Sequence, residues 1–247
     1  MAIEAGLADQ LFVSGYDLSS DVGSIQRIAA PSGVLDITPI NTSGHVRIYS
    51  HFDGAIDFGQ YFNDAALAEH VALKAKAAGA DRVATYFHGS GIGEVAAGMI
   101  AKQITYDWSR GQDGSLTGTT NLLANAKGLE WCDQLTAGKR TDTSATNGSS
   151  LNNGAATNLG LAAYLQVFSV VGTSVTVAVQ SSSDNGGGDP FAAVLTFTAV
   201  AAGALGEERK ATATLTTAVE QYLRVATSGT FSSAVFAVCA TREPLAT

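Results

Sequence analysis

Apolar and polar residues alternate along much of this chain, and the alternation is mostly that of strands. Three runs lie between residues 34 and 62: VLDITPI, GHVRIYSHF and GAIDFGQYF. Val46, Ile48 and Ser50 oppose Arg47 and Tyr49, and Ile56 and Phe58 resume the spacing after Asp53-Gly54. Period-2 alternation across an Asp-Gly pair predicts a hairpin. The spacing changes over residues 64–78. There Leu67, Val71, Ala75 and Ala78 share one face of a predicted helix. Asn63 or Asp64 would cap it, Lys74 and Lys76 sit near its negative end, and Gly79 stops it. RVATYF at 82–87 reads as the next strand.

Residues 136–160, TAGKRTDTSATNGSSLNNGAATNLG, carry almost no large side chain. Such a stretch cannot bury enough surface to fold alone, so it reads as a linker or as an arm that orders on a partner. Beyond it the pattern is again β: AAYLQVFSVVG, TSVTVAVQS, AVLTFTAV, KATATLTT, QYLRVAT and AVFAVCAT. Short strands at close spacing suggest a sandwich or barrel. The halves echo each other. HVRIYSHFDGAIDFG aligns with YLQVFSVVGTSVTVA without a gap, and Arg-Val-Ala-Thr occurs at both 82–85 and 224–227. The fold expected is mainly β: a β-domain over 1–135 with its helix at 64–78, the polar segment 136–160, and a β-sandwich over 161–247 that duplicates the first.

The glycine-rich stretch YFHGSGIGEVAAGM at 86–99 raises the question of a nucleotide site. Its spacing is G-x-G-x-G, neither the dinucleotide pattern nor a P-loop, and no Lys-Ser or Lys-Thr follows. Gly98 weakens a helix there, and repeated βαβ units are missing. The glycines read as a loop between two strands.

Composition narrows the function further. The chain has 247 residues and a net charge of −8, with its basic residues scattered apart from Lys139-Arg140. A protein that grips nucleic acid needs a basic patch, so stable binding to DNA or RNA is not expected. No apolar run reaches 18 residues, and the first residues have no basic n-region, so neither a membrane span nor a signal peptide is expected, and the chain reads as folding in a cytoplasm. Cys132 and Cys239 form no CxxC and read as small buried hydrophobes. His45, His51, His70 and His88 lack metal-ligand spacing. Ser90 has His88 where a G-x-S-x-G motif needs glycine. Asp184, Asn185 and Asp189 could hold calcium, but the EF-hand spacing is absent and a turn is the better reading. No catalytic, cofactor-binding or metal residue is nominated, and no enzyme is expected.

One region carries a resemblance. "YDWSRGQDGSL" at 106–116 and "GLEWCDQLTAGKRT" at 128–141 are similar to the middle of the major tail proteins of long-tailed phages that infect actinobacteria. "SDVGSI", "LDITPINTSGHVRI" and "DGAIDFGQYFN" within 20–63 extend it, as does "LRVATSGTFSSAVFAV" at 223–238. Cys132 stands where many members of that family have glycine. The resemblance implies a tail tube protein: β-domains with a flanking helix, side by side in a ring, their sheets joined around a channel, with loops reaching into the next stacked ring. It implies a location in the virion tail, partners that are copies of itself, and a measuring protein and DNA passing the lumen without specific binding. A ring would close from three two-domain chains or from six chains, with a duplication favouring three. Trp108, Leu116, Trp131 and Leu135 are the candidate anchors of its arm, the alternative being that both tryptophans are ordinary core residues. Two other readings stay open: a capsid decoration or other virion protein, and a carbohydrate-binding sandwich.

Overall fold

The computed structural model describes residues 6, 8–75 and 79–245. Strands dominate, as the alternation predicts, and fifteen of them join one antiparallel sheet. In the first half these are β1 (Gln10–Val13), β2 (Tyr16–Asp17), β3 (Val22–Ala29), β6 (Ala55–Tyr61), β7 (Arg82–Phe87), β8 (Val95–Arg110) and β9 (Leu116–Ala124). They run in the order β3-β6-β9-β8-β7-β1-β2 around a core that includes Leu11, Val13, Ile56, Phe58, Met99 and Leu122. β4 (Ser32–Asp36) and β5 (Arg47–Phe52) stand apart as a two-stranded sheet.

The second half is built on two long strands. β13 (Ala162–Ser182) and β17 (Tyr222–Thr241) pair from Ala162↔Thr241 to Ser182↔Tyr222. The other edge of β13 takes β14 (Ala192–Thr196), β15 (Val200–Ala201) and β16 (Gly206–Ala211). The pair slips register around Gly172, where Gly172 and Gly229 adopt positive φ of 132° and 115°. A Cβ on Gly172 would lie 2.5 Å from the Phe231 Cα, and one on Gly229 would lie 2.4 Å from the Ser174 carbonyl. Only glycine allows this approach. Side chains from both sides of the bend, Val167 and Phe236 with Val177 and Val225, then share one core.

β10 (Glu130–Gln134) joins the halves, pairing β8 on one side and β17 on the other. A third cluster fills the junction: Phe12, Phe87, Ala96, Cys132, Tyr164 and Cys239. Both cysteines are buried there. Gly98 on β8 lies under the Tyr164 ring, and an added Cβ would be 2.5 Å from that ring. Glu130 holds the Tyr164 hydroxyl, so the ring cannot swing away. Gly98→Ala is expected to lower stability by about 1–3 kcal/mol, the usual cost of overpacking, read as a lower urea midpoint with unchanged slope.

The structure corrects several sequence expectations. Asp53-Gly54 does not close a hairpin, because β5 pairs β4 whereas β6 pairs β3 and β9. A two-residue hairpin of that kind needs positive φ at both turn residues, and neither has it. The pair is instead a corner between sheets. The Asp53 N–H donates to the Pro31 carbonyl at 2.9 Å, and Gly54 packs against the Leu129 backbone. The helix is shorter than 64–78: α1 spans Glu69–Leu73. Leu67 takes a left-handed φ of 64°, which breaks the helix before it starts, so Leu67 is exposed and Ala68, Ala72 and Leu73 are buried instead. The expected positions Lys76 and Ala78 lie outside the described residues.

The polar segment 136–160 is not a free arm. It holds β11 (Arg140–Asp142) and β12 (Asn147–Asn152), both laddered onto β17. Arg140 grips both Asp142 carboxylate oxygens, at 2.8 and 2.7 Å, and the Val225 carbonyl at 2.9 Å. Backbone pairing to an existing strand satisfies the segment, so large side chains are not needed. KATATLTT is strand only up to Ala211. The aligned halves are also placed differently. Residues 47–52 are exposed in the separate ribbon, whereas of their counterparts on β13 Gln166, Val167 and Val170 are buried. The glycine stretch does form the loop between β7 and β8, with Gly89 and Gly93 at positive φ.

Candidate interaction surface

The ribbon β4–β5 is the least covered part of the described chain. Its register pairs Val34 with Tyr49, Leu35 with Ile48 and Asp36 with Arg47. Paired residues in an antiparallel ribbon share a face. Val34 and Tyr49 therefore project on one side and Leu35 and Ile48 on the other. Every residue of β5 is exposed, Tyr49 to 74%. Ile37, Ile40, Val46 and Phe52 add to the apolar surface.

The tip is held by polar contacts that leave those side chains outside. The Asp36 carboxylate accepts from the Thr38 N–H at 3.0 Å and from its hydroxyl, and meets His45 Nδ1 at 2.9 Å. The Thr38 hydroxyl foremost holds the Asp36 carboxyl below its ordinary range. The Val46 N–H donates to the Thr38 hydroxyl at 2.8 Å, and the Ile37 N–H to the Val46 carbonyl at 2.9 Å. These bonds define a shape, but a two-stranded ribbon with no sheet or helix against it is marginal in water. Contiguous exposed apolar surface of this kind marks an interaction site.

The surface continues at the ribbon's base. A hollow of about 280 Å³ lies among Pro31, Phe52, Leu129, Trp131 and Leu245. Trp131 is 50% exposed, and Val95 projects on the same face of the β8–β10 pair. Beneath this face Arg209 forks onto Glu130 through two contacts of 2.8 Å, and the Leu245 N–H adds a third donor at 2.7 Å. The pair is almost wholly buried; burial works to strip the Arg209 proton, and the hydrogen-bonded Glu130 carboxylate with Tyr164 outweighs it and holds the guanidinium above its usual range.

The first-half sheet ends among the described residues at β3 and at the β1–β2 pair, where the Leu11 N–H already donates to the Ser19 hydroxyl and the Leu11 carbonyl accepts the Leu18 N–H. β3 pairs only β6, and β1 pairs β7 and the two-residue β2. A cleft of about 500 Å³ separates them, lined by Asp9, Leu11, Ser24, Ile25 and Tyr86 among others. The first-half sheet is thus curled but not closed, and its unpaired β3 edge offers backbone partners to another strand.

The four candidate anchors do not gather. Trp131 and Leu116 are exposed, Leu135 is core, and Trp108 is partly buried against Phe62 and Tyr106. The ribbon itself was missed as a surface by sequence reasoning. Its signal is apolar residues at both parities, Leu35 with Val34 and Ile48 with Tyr49, where a sheet with one covered face would alternate.

The titratable groups form local structure. His88 Nδ1 meets Asp9 Oδ1 at 2.9 Å, and the Tyr86 hydroxyl donates to the same carboxylate. Burial foremost pushes the Tyr86 phenol up. Asp184 accepts from the Gly187, Gly188 and Asp189 amides, and the Ser183 N–H donates to Asp189, so both carboxylates turn onto their own loop. Among the described residues no group of three His, Cys, Asp or Glu side chains could hold a metal ion. No described helix is long and apolar enough to cross a membrane.

No family model matches the chain, and no curated protein matches it. Solved structures do. A chain from the virion of a native gene transfer agent particle is similar at 13% identity, over 52% of this chain and 98% of that one, with a TM-score of 0.43. A chain from the tail of an empty gene transfer agent particle, of C6 symmetry, gives 15%, 52%, 98% and 0.41. The Dit protein of phage SPP1, described as a hub of the adsorption apparatus, gives 12% identity over 94% of this chain and 99% of its own, with a TM-score of 0.35. The chain is thus similar to components of tails and hubs, at identities and scores that by themselves assign neither a family nor a role.

Proposed function

We propose that this chain is a structural subunit of a phage tail that assembles with copies of itself into stacked rings, forming the tail tube. The observation that carries this reading is the β4–β5 ribbon, apolar on both faces and covered on neither. The sequence resemblance to major tail proteins supports it, as does the open edge of β3. In the proposed assembly the ribbon, not the segment 136–160, is the arm that a neighbouring copy covers. Neighbouring sheets complete the open edge around the ring, in a head-to-tail interface that closes. Three or six chains make the ring. DNA and the measuring protein pass the bore without specific binding, and the net charge of −8 disfavours trapping of a polyanion. The protein's work is then assembly in the virion tail, with no bond made or broken.

Electron microscopy of the purified protein tests this. Tubes of constant bore with three- or sixfold symmetry are expected. Decorated shells would favour a capsid role. Monomers at all concentrations would overturn the proposal, and glycan binding by them would favour a lectin-like module.

A further inference from the structure

The middle of the β8–β9 ladder, where Tyr106 faces Thr120, holds a buried polar group that the proposed assembly does not use. Glu69 on α1 is 0% exposed, and its Oε1 accepts from Gln60 Nε2 at 3.1 Å. The other oxygen, Oε2, takes no well-formed hydrogen bond, and the Tyr106 hydroxyl and the Asn63 backbone lie beside the carboxyl. Tyr106 in turn lies 2.6 Å from His70 Nδ1, one residue along the same helix. Aromatic rings wall the group: Phe62 packs at 4.8 Å from His70 and 5.2 Å from Trp108, which lies 5.5 Å from Tyr106. The polar neighbours on the remaining strands are Gln60 on β6 and Thr120 on β9, joined at 3.0 Å. Asp21, before β3, is the other carboxylate. It accepts the Glu69 N–H at 3.0 Å and Asn63 Nδ2 at 2.8 Å, and so anchors the start of α1.

We propose that Glu69, Tyr106 and His70 form a proton-dependent latch that ties α1 to the middle of the β8–β9 hairpin. With Glu69 neutral, its O–H donates to the Tyr106 oxygen. The Tyr106 O–H donates onward to His70 Nδ1, and each hydrogen has one acceptor. When Glu69 releases its proton to solvent, the carboxylate and His70 Nδ1 both require the single phenol hydrogen. Either the carboxylate stays short of a donor, or His70 changes tautomer and donates to Tyr106. A charge is then buried among rings and opposite Asp21, with amide and phenol donors only, and α1 loosens.

Burial foremost pushes the Glu69 carboxyl from 4.5 up to about 7. The folded form therefore holds its proton where the unfolded chain has lost it. The Glu69 proton's contribution to stability is full below pH 4.5, declines as pH rises to 7, and is absent above.

Hydrogen exchange of the α1 amides in the full chain, corrected for intrinsic rates, reads the latch directly. Opening of the Ala72 and Lys74 amides is expected to rise on the order of tenfold between pH 5.5 and 8.5. Glu69→Gln is expected to remove that dependence. A flat wild-type profile, or a Glu69→Gln profile that follows the wild type, would overturn the proposal. Carbon-13 titration of the wild-type Glu69 carboxyl needs no variant: a midpoint near 7 is expected, and one near 4.5 overturns it.

Discussion

Glu130→Ala is expected to destabilise the chain by about 3–5 kcal/mol, the range for removing one partner of a buried ion pair. Glu130 and Arg209 are 1% and 5% exposed. Glu130 also accepts from the Tyr164 hydroxyl and the Leu245 N–H. Truncation leaves a guanidinium and a phenol without their acceptor at the seam between the two halves, and opens space beside Tyr164. Arg209→Met in the same chain removes the stranded cation. The double variant is expected to recover much of the loss, since apolar replacement of a whole buried pair is often neutral. Thermal unfolding followed by circular dichroism measures both. A midpoint drop on the order of 10 °C is expected for the single variant. A single variant within 1–2 °C of wild type would show that the pair contributes nothing net.

Ile48→Asp and Tyr49→Asp are expected to abolish assembly while leaving the monomer's stability unchanged within about 0.5 kcal/mol. The two residues lie on opposite faces of the ribbon, and both are exposed in the monomer. Each large apolar side chain that a partner fully buries contributes about 1.5–3 kcal/mol, and a carboxylate placed there must be desolvated without a counterion. Sedimentation velocity separates the outcomes: large assemblies for wild type, monomer for either variant. If only one variant fails to assemble, a single ribbon face is covered. If both assemble like wild type, the ribbon is not the contact.

The two variants bear on how far the sequence could be read. Strand character was legible because alternation reports a face directly, and RVATYF and AVFAVCAT lie in strands β7 and β17. The loop at 88–94 was legible from glycine spacing. Partner choice was not. Asp53-Gly54 has hairpin composition, yet Leu129, far along the chain, packs against Gly54 and makes it a corner. Residues 140–152 carry few large side chains, Arg140 and Leu151 among them, but strand β17 supplies their ladder. The helix start depended on one backbone angle at Leu67, which no periodicity encodes. The Glu130–Arg209 pair spans 79 positions in sequence, and neither residue carries a local signal of burial.

The narrow bridge made by β10 has a mechanical meaning. It meets β8 over Glu130–Asp133 and β17 over Asp133 and Gln134. Few rungs therefore transmit force across the seam, while β13 and β17 share a zipper many times longer. Separating the halves would therefore break few rungs, and the resistance of the seam comes instead from side chains that cross it: Gln166 on Gly15 and Val83, Glu207 on Val83, Arg209 on Glu130, and the Phe12–Tyr164 cluster.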